Sequence, residues 1–301
     1  MSDIPIIDAH HHFWDLGLGK HPWLDGRHVI EGFRYGDYAA IRRNYLLEDY
    51  RRDSAGHNVV KTIHMETEWD PTDPIGETDW LQRYHDKTGF PHAVVGQAWF
   101  DRADIAEVLA GHAAYPLIRS VRQKPKAAPS PEAFTPGAPG SMADPVFREG
   151  YRHLATHGLH YDLQTPWWHL GEAADLARDF PDTTIILNHT GLPSDRSEAG
   201  IAGWRAAMER FADQPNTAVK ISGIGLAGEA WTTQGNGPLV QETIRIFGVE
   251  RCMFASNFPV DGLCASYDTI FTGFRRMVAD FPAADQRKLF HDNAVKYYRP
   301  A

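Results

Sequence analysis

Cysteine is nearly missing from this chain: there are two in 301 residues, Cys252 within an apolar run and Cys264 in a loop-like stretch. Two such residues make no disulfide framework, so the fold has to stand on its core. Long apolar runs are missing too. A membrane-spanning helix needs about 20 consecutive apolar residues, and no stretch of the sequence approaches that length. Positive charge is in deficit, with a net charge of -9 and a pI near 5.9. Binding along a phosphate backbone requires basic patches, so nucleic acid is not an expected partner. The opening MSDIP lacks the charged segment and apolar stretch of a secretory signal, which makes the cytoplasm the expected compartment. Nothing repeats at a solenoid-like period, and no shift in composition marks a boundary, so one domain over residues 1–301 is expected. Assembly as a homo-oligomer stays open.

What the chain does have is a 43% hydrophobic fraction, ample for a large core, arranged in alternating patterns. Short β-type runs occur at Ile4–Ala9, Val59–Met65, His92–Ala98, Leu117–Arg122, Leu159–Gln164, Thr184–Asn188, Thr217–Ser222 and Cys252–Ser256. Helical spacing follows each of them, at Tyr45–Ala55, Thr78–Lys87, Asp104–Ala113, Pro145–His157, Leu170–Phe180, Gly203–Ala212, Pro238–Phe247 and Ser266–Phe281. Asp144-Pro145 and Asn236-Gly237-Pro238 read as helix starts, and His157-Gly158 and Pro181 as stops. Strand followed by helix, eight times over, predicts an α/β fold of the (β/α)8 TIM-barrel type. Two stretches break the rhythm, the aromatic Leu16–Gly36 after strand 1 and the proline-rich Gln123–Ala143 after strand 4. Both follow strands, so both are expected to roof the C-terminal face, where barrel enzymes keep their sites.

The candidate chemistry sits at the strand ends. In IIDAHHHFWD, alternation places Asp8, His10 and His12 on one side and His11 on the other. His-x-His at a strand end offers two imidazoles to one point, and imidazole suits a divalent ion such as zinc. Strand 2 offers Glu66 and Glu68, strand 4 Arg119, Arg122 and Gln123, and strand 5 Gln164, Trp167 and Trp168. Strand 6 offers Asn188 and His189, strand 7 Lys220 and Ser222, and strand 8 Asn257 and Asp261. Each alone also fits a structural role. Together on one face of one barrel they point to an enzyme.

DAHHHFWD at strand 1, LNHTGLP at strand 6, SNFPVD at strand 8 and the closing DNAVKYYR resemble the amidohydrolase-related family. The closer resemblance is to its branch of metal-dependent-hydrolase barrels that contains sugar-acid and dicarboxylate lactonases. It runs from Ile4 to Arg299 and implies a TIM barrel in which water attacks a carbonyl. It also implies that His10, His12 and His189 bind a metal or the substrate carboxylate. Two departures stand out: Gln164 occupies the usual strand-5 histidine position, and Asn257 the strand-8 aspartate position. An amide accepts no catalytic proton at neutral pH, and strand 4 shows no candidate for a carbamylated lysine. The resemblance therefore implies one divalent ion at most, expected to be zinc, on His10, His12 and His189, with water and Glu66 completing the shell. Some lactonases of this branch act without metal, and then the histidines serve as donors to the substrate.

The reaction expected is hydrolysis of a lactone of a small sugar acid or carboxylic acid, an anionic or polar small molecule. Asp261 is the expected base, with Glu66 as its competitor and Asn257 orienting the water or substrate. Arg119 or Arg122 is expected to clamp a substrate carboxylate, with Gln164, Trp168 and Lys220 as further contacts. The rivals are a decarboxylase of an aromatic or muconate-type acid and an inactive binding paralogue. Relatives of the first kind carry glutamate where this chain has Asp8. The second is suggested by Asn257.

Overall fold

Strand and helix alternate as the periodicity predicts. The computed structural model describes residues 4–301, so Met1–Asp3 of the opening MSDIP lie outside it. Among the described residues eight parallel strands form one sheet in chain order. They are β1 (Ile6–His11), β2 (Val59–Met65), β3 (Ala93–Gln97), β4 (Ile118–Gln123), β5 (His160–Leu163), β6 (Ile185–Leu187), β7 (Thr217–Ile221) and β8 (Cys252–Phe254). The helices between and after them are α1 (Leu47–Asp53), α2 (Gly76–Thr88), α3 (Ile105–Ala113), α4 (Pro145–Tyr151), α5 (His153–Thr156), α6 (Leu170–Asp179), α7 (Glu198–Ala212), α8 (Thr233–Phe247), α9 (Tyr267–Met277), α10 (Ala283–Arg287) and α11 (Asn293–Tyr298). This is a (β/α)8 barrel. No helix among the described residues is long and apolar enough to cross a membrane.

Two apolar layers hold it together. Ile7, Ala9, Ile63, Met65, Val95, Ile186, Ala218 and Met253 pack with Ala294 and Tyr298 of α11, so the last helix lies against the barrel's inner residues. A second, larger layer lies between strands and helices and includes Phe100, Phe147, Tyr151, Tyr161 and Trp204. Removing such side chains from water is the main driving force of the fold, at about 25 cal/mol per Å² of apolar surface.

The differences from the predicted elements have local causes. The stretch expected as one helix over Pro145–His157 divides at Arg152 into α4 and α5. α7 begins five residues earlier than the apolar spacing implied, because the Ser197 hydroxyl caps it by accepting from Gly200 N at 3.0 Å. α8 begins at Thr233, capped by Thr232, and takes Pro238 inside the helix. The short α10 and α11, which follow α9, lie outside the predicted helices.

The barrel closes at the seam between β8 and β1, and the closure bears directly on the site. The residues just beyond β8 make the join: Asn257 N donates to His10 O at 2.7 Å and His12 N to Phe258 O at 2.7 Å. Asp8 seals it from outside, accepting from Ser256 N at 2.9 Å and from the Tyr50 hydroxyl at 2.9 Å.

Candidate active site

β1 is not a regular strand. Its register against β2 slips between Asp8 and His11, a bulge of one residue. The predicted alternation therefore fails at this point. Ile7 and Ala9 belong to the inner layer, Asp8 bonds tyrosines of α1 and α9, and only then do His10 and His12 turn to the site. His11 goes the other way, its ring 4.9 Å from Tyr50 and 4.5 Å from Phe13. A bulge next to an active site re-aims side chains in this way.

His10, His12 and His189 converge. The His10 ring centroid lies 5.1 Å from His12 and 4.6 Å from His189. All three are buried, and burial holds each imidazole well below its ordinary pKa, so they are neutral near pH 7. Both ring nitrogens of His10 are buried without a partner. His189 Nδ1 lies 3.0 Å from the Ser222 hydroxyl. His12 is differently placed: Nδ1 meets Met65 O at 2.8 Å and Nε2 meets Asn257 Oδ1 at 3.2 Å.

That placement decides the fit of a metal. Orphaned nitrogens on His10 are what an ion would use, and a neutral His12 that donates from Nδ1 to Met65 O keeps a lone pair on Nε2, which faces Asn257 Oδ1. Among the described residues no three His, Cys, Asp or Glu side chains form a metal-holding group. The expected zinc on His10, His12 and His189 thus has imidazole nitrogens to use, although they are not gathered into a ready ligand group.

Of the three histidines, His12 and His189 border a cavity of about 290 Å³ at the barrel mouth, and His10 is fully buried. His12, His189, Glu66, Arg122, Gln164 and Asn257 line its floor, and Trp23, Ile30, Phe33 and Arg34 from the first long loop cover it. Arg122 organises the floor. Its Nε donates to Glu66 Oε1 at 2.5 Å, Nη2 to Glu66 O at 2.8 Å and Nη1 to Gln164 Oε1 at 3.0 Å. Burial pushes the Glu66 carboxyl up despite the Arg122 guanidinium, which makes it a stronger proton acceptor when ionised. Four residues of the wall, Glu68, His189, Leu192 and Asn257, have φ of 54°, 53°, 55° and 55°. Side chains other than glycine rarely take this conformation, and such strain concentrates at functional sites.

Other expected site residues lie elsewhere. The sequence reading makes Asp261 the proton acceptor, but its carboxylate does not reach the cavity wall. Oδ1 accepts from Asn257 Nδ2 at 2.6 Å and from the Tyr35 hydroxyl at 2.9 Å, and Oδ2 accepts from Gly223 N at 3.0 Å. Asp261 thus stands behind Asn257, which stands behind His12. Arg119 is also displaced. It donates to the carbonyls of Pro116 and Arg299 and borders a surface hollow with His157 and Leu159 instead of the site. On β4, Arg122 turns inward and Arg119 does not. Lys220 is buried below the histidines, 2.7 Å from Asp162, and burial pushes its ammonium down to about 8. Trp168 borders a side chamber next to the main cavity, with its Nε1 bonded to Ala128 O at 2.9 Å.

Sequence reasoning missed Arg34 and Lys124, both in the cavity wall. Arg34 lies in GFRYG with no periodicity to aim it, and only the packing of the first loop brings it over the barrel. Lys124, one residue past β4, pairs with Glu68.

With this geometry in view, comparison with known proteins is informative. The family model described as amidohydrolase matches residues 7–299. The chain belongs to the amidohydrolase family. An uncharacterized protein of Sinorhizobium fredii, y4mH, is 45% identical over 99% of this chain and 100% of its own. An L-fucono-1,5-lactonase of Burkholderia ambifaria is 27% identical over 97% of this chain and 95% of its own. A crystal structure of an amidohydrolase from Burkholderia multivorans with bound zinc has a TM-score of 0.80 at 22% identity, covering 98% of this chain and 99% of that one. At that identity the likeness shows the fold. Within the amidohydrolase family, membership supports a hydrolase acting on a small molecule.

Proposed function

We propose that this amidohydrolase opens a lactone, the ring ester of a small sugar acid or carboxylic acid, by attack of water on the ring carbonyl. The observation that carries the reading is the placement of a desolvated carboxylate and a guanidinium, Glu66 and Arg122, on the same cavity wall as two neutral imidazoles. Similarity to the L-fucono-1,5-lactonase over nearly the whole chain supports the choice of a ring ester.

Glu66 takes a proton from water as the oxygen attacks, and the carbonyl oxygen gains negative charge opposite the Arg122 guanidinium. The ring C–O bond then breaks, and the carboxylic acid form of Glu66 returns the proton to the leaving alkoxide. The product is a hydroxy acid, whose new carboxyl ionises and releases one proton. His189, on the cavity wall, holds a hydroxyl or the carbonyl of the ring through a hydrogen bond, with His10 packed behind it. Asn257, steadied by Asp261, fixes the His12 ring. His10, His12 and His189 are the residues that would hold a divalent ion, which would supply a Lewis acid to the carbonyl; the proton transfers above are assigned to Glu66.

The test is a pH-stat assay over a panel of sugar-acid and dicarboxylic lactones, alongside metal analysis of the purified protein. One proton released per ring opened is expected. Release of carbon dioxide from an aromatic acid would replace this reading with a lyase. Inactivation by a chelator with recovery on adding zinc would put the ion on the three histidines, and activity that survives the chelator would make them donors to the substrate.

A further inference from the structure

The main cavity has an annex. A chamber of about 170 Å³ opens beside it and shares Arg34 and Leu192 with it. Arg34 stands at the join. A Cβ on Gly223 would meet Arg34 Nη2 at 2.6 Å and His189 Nδ1 at 2.5 Å, so the backbone there passes close to both side chains. The chamber is walled mostly by apolar groups, among them Pro166, Trp168 and Ile224.

One charge in it lacks a counter-ion. Arg196 donates from Nη2 to Ile224 O at 2.8 Å, while its Nε is buried with no partner. Among the described residues Arg196 forms no ion pair, and the exposed Glu229 acts on it only through space. The other guanidinia of the two cavities are matched: Arg122 lies 2.5 Å from Glu66, and Arg34 lies 3.6 Å from Asp261. A half-buried guanidinium with an unmet donor is a site for an acceptor, and its planar fork fits a carboxylate best. The apolar walls between Arg34 and Arg196 suit methylene groups and not a strongly hydrated anion.

We propose that this chamber is a specificity subsite for a substrate carboxylate carried on a short apolar arm, with Arg196 binding the carboxylate and Trp168 flanking the arm. The inference rests on the lactonase reading insofar as the ring itself occupies the main cavity. It narrows the substrate class to lactones bearing a second, ionised acid group, and no step of the chemistry changes.

The experiment compares two lactones of the same ring size, one neutral and one with a terminal carboxylate on a short alkyl arm, and measures glutarate binding by calorimetry. Wild-type protein should prefer the carboxylated lactone in kcat/KM by about 10–100-fold, the range of a charge-assisted hydrogen bond. Arg196→Gln should abolish most of that preference through KM and weaken glutarate binding, and Arg196→Lys should restore part of both. Equal use of the two lactones by wild type, or a preference that survives Arg196→Gln, overturns the subsite and leaves the lactonase reading intact. Glutarate binding that depends on Arg196, with neither lactone opened, upholds the subsite and overturns the lactonase reading.

Discussion

Asp261 and Glu66 are both buried carboxylates with raised pKa values, and burial is the main cause in each. What separates them is access. Glu66 borders the cavity, whereas Asp261 is enclosed by the Tyr35 hydroxyl, the Asn257 amide and Gly223 N. Glu66→Gln should lower kcat by about 10²–10⁴-fold, the usual scale of general-base catalysis, and remove the acidic limb of the pH profile. Asp261→Asn should act through Asn257 and keep that limb. If Asp261→Asn removes the limb and Glu66→Gln does not, the roles are reversed. Behind β2 a third carboxyl gives a cleaner pH signal. Glu77 accepts from Thr67 N at 3.0 Å, lies 3.2 Å from His64 Nε2, and burial pushes it up to about 7. A folded-state pKa above the ordinary 4.5 means that the native protein binds more protons between the two values. Its contribution to stability is thus fully present below about 4.5 and lost as pH rises through 7. Urea unfolding at pH 5 and pH 8 should show wild type losing up to about 3 kcal/mol from this group, and Glu77→Gln should flatten the difference. An unchanged slope in the variant would place the titration elsewhere.

At the scale of elements, the strands were legible because apolar runs at a period of two survive in any parallel barrel. All eight predicted runs contain an observed strand, apart from shifts at the ends such as the extension of β1 to His11. The aim of side chains past a strand end was less legible. Alternation wrongly grouped Asp8 with His10, because a bulge carries no sequence signal that period-two reading detects. His64 and Glu66, two residues apart, also part company: His64 meets Glu77 of α2 while Glu66 meets Arg122. The two long loops divide their work unequally for the same reason. The first brings Trp23, Phe33 and Arg34 over the cavity, but from the second only Lys124 lines it. Most of the second packs against α6 and its approach, with Ala128 N on His169 Nε2 and Gly137 N on Glu172. Shortening the first loop at Pro22–Gly32 should raise KM about tenfold or more, as lost apolar cover implies. Removing residues 130–139 from the second should leave KM within about twofold and lower stability instead. Steady-state kinetics and thermal melts of the two deletions separate these outcomes, and the reverse pattern would make the second loop the lid.

For the whole molecule, barrel closure and site assembly are one event. Asn257 and Phe258 join β8 to β1 through His10 and His12, so the seam that completes the barrel also sets the histidines. The proposed attack of water on a carbonyl draws on membership in the amidohydrolase family and on the cavity's charge pattern. The most direct test runs the lactone reaction in water labelled with heavy oxygen and reads the product by mass spectrometry. Attack on the carbonyl predicts one labelled oxygen per product, located in the new carboxylate, with the same placement but a slower rate in Glu66→Gln. Label in the ring-derived hydroxyl, or a product that has lost carbon dioxide and gained no label, would contradict it.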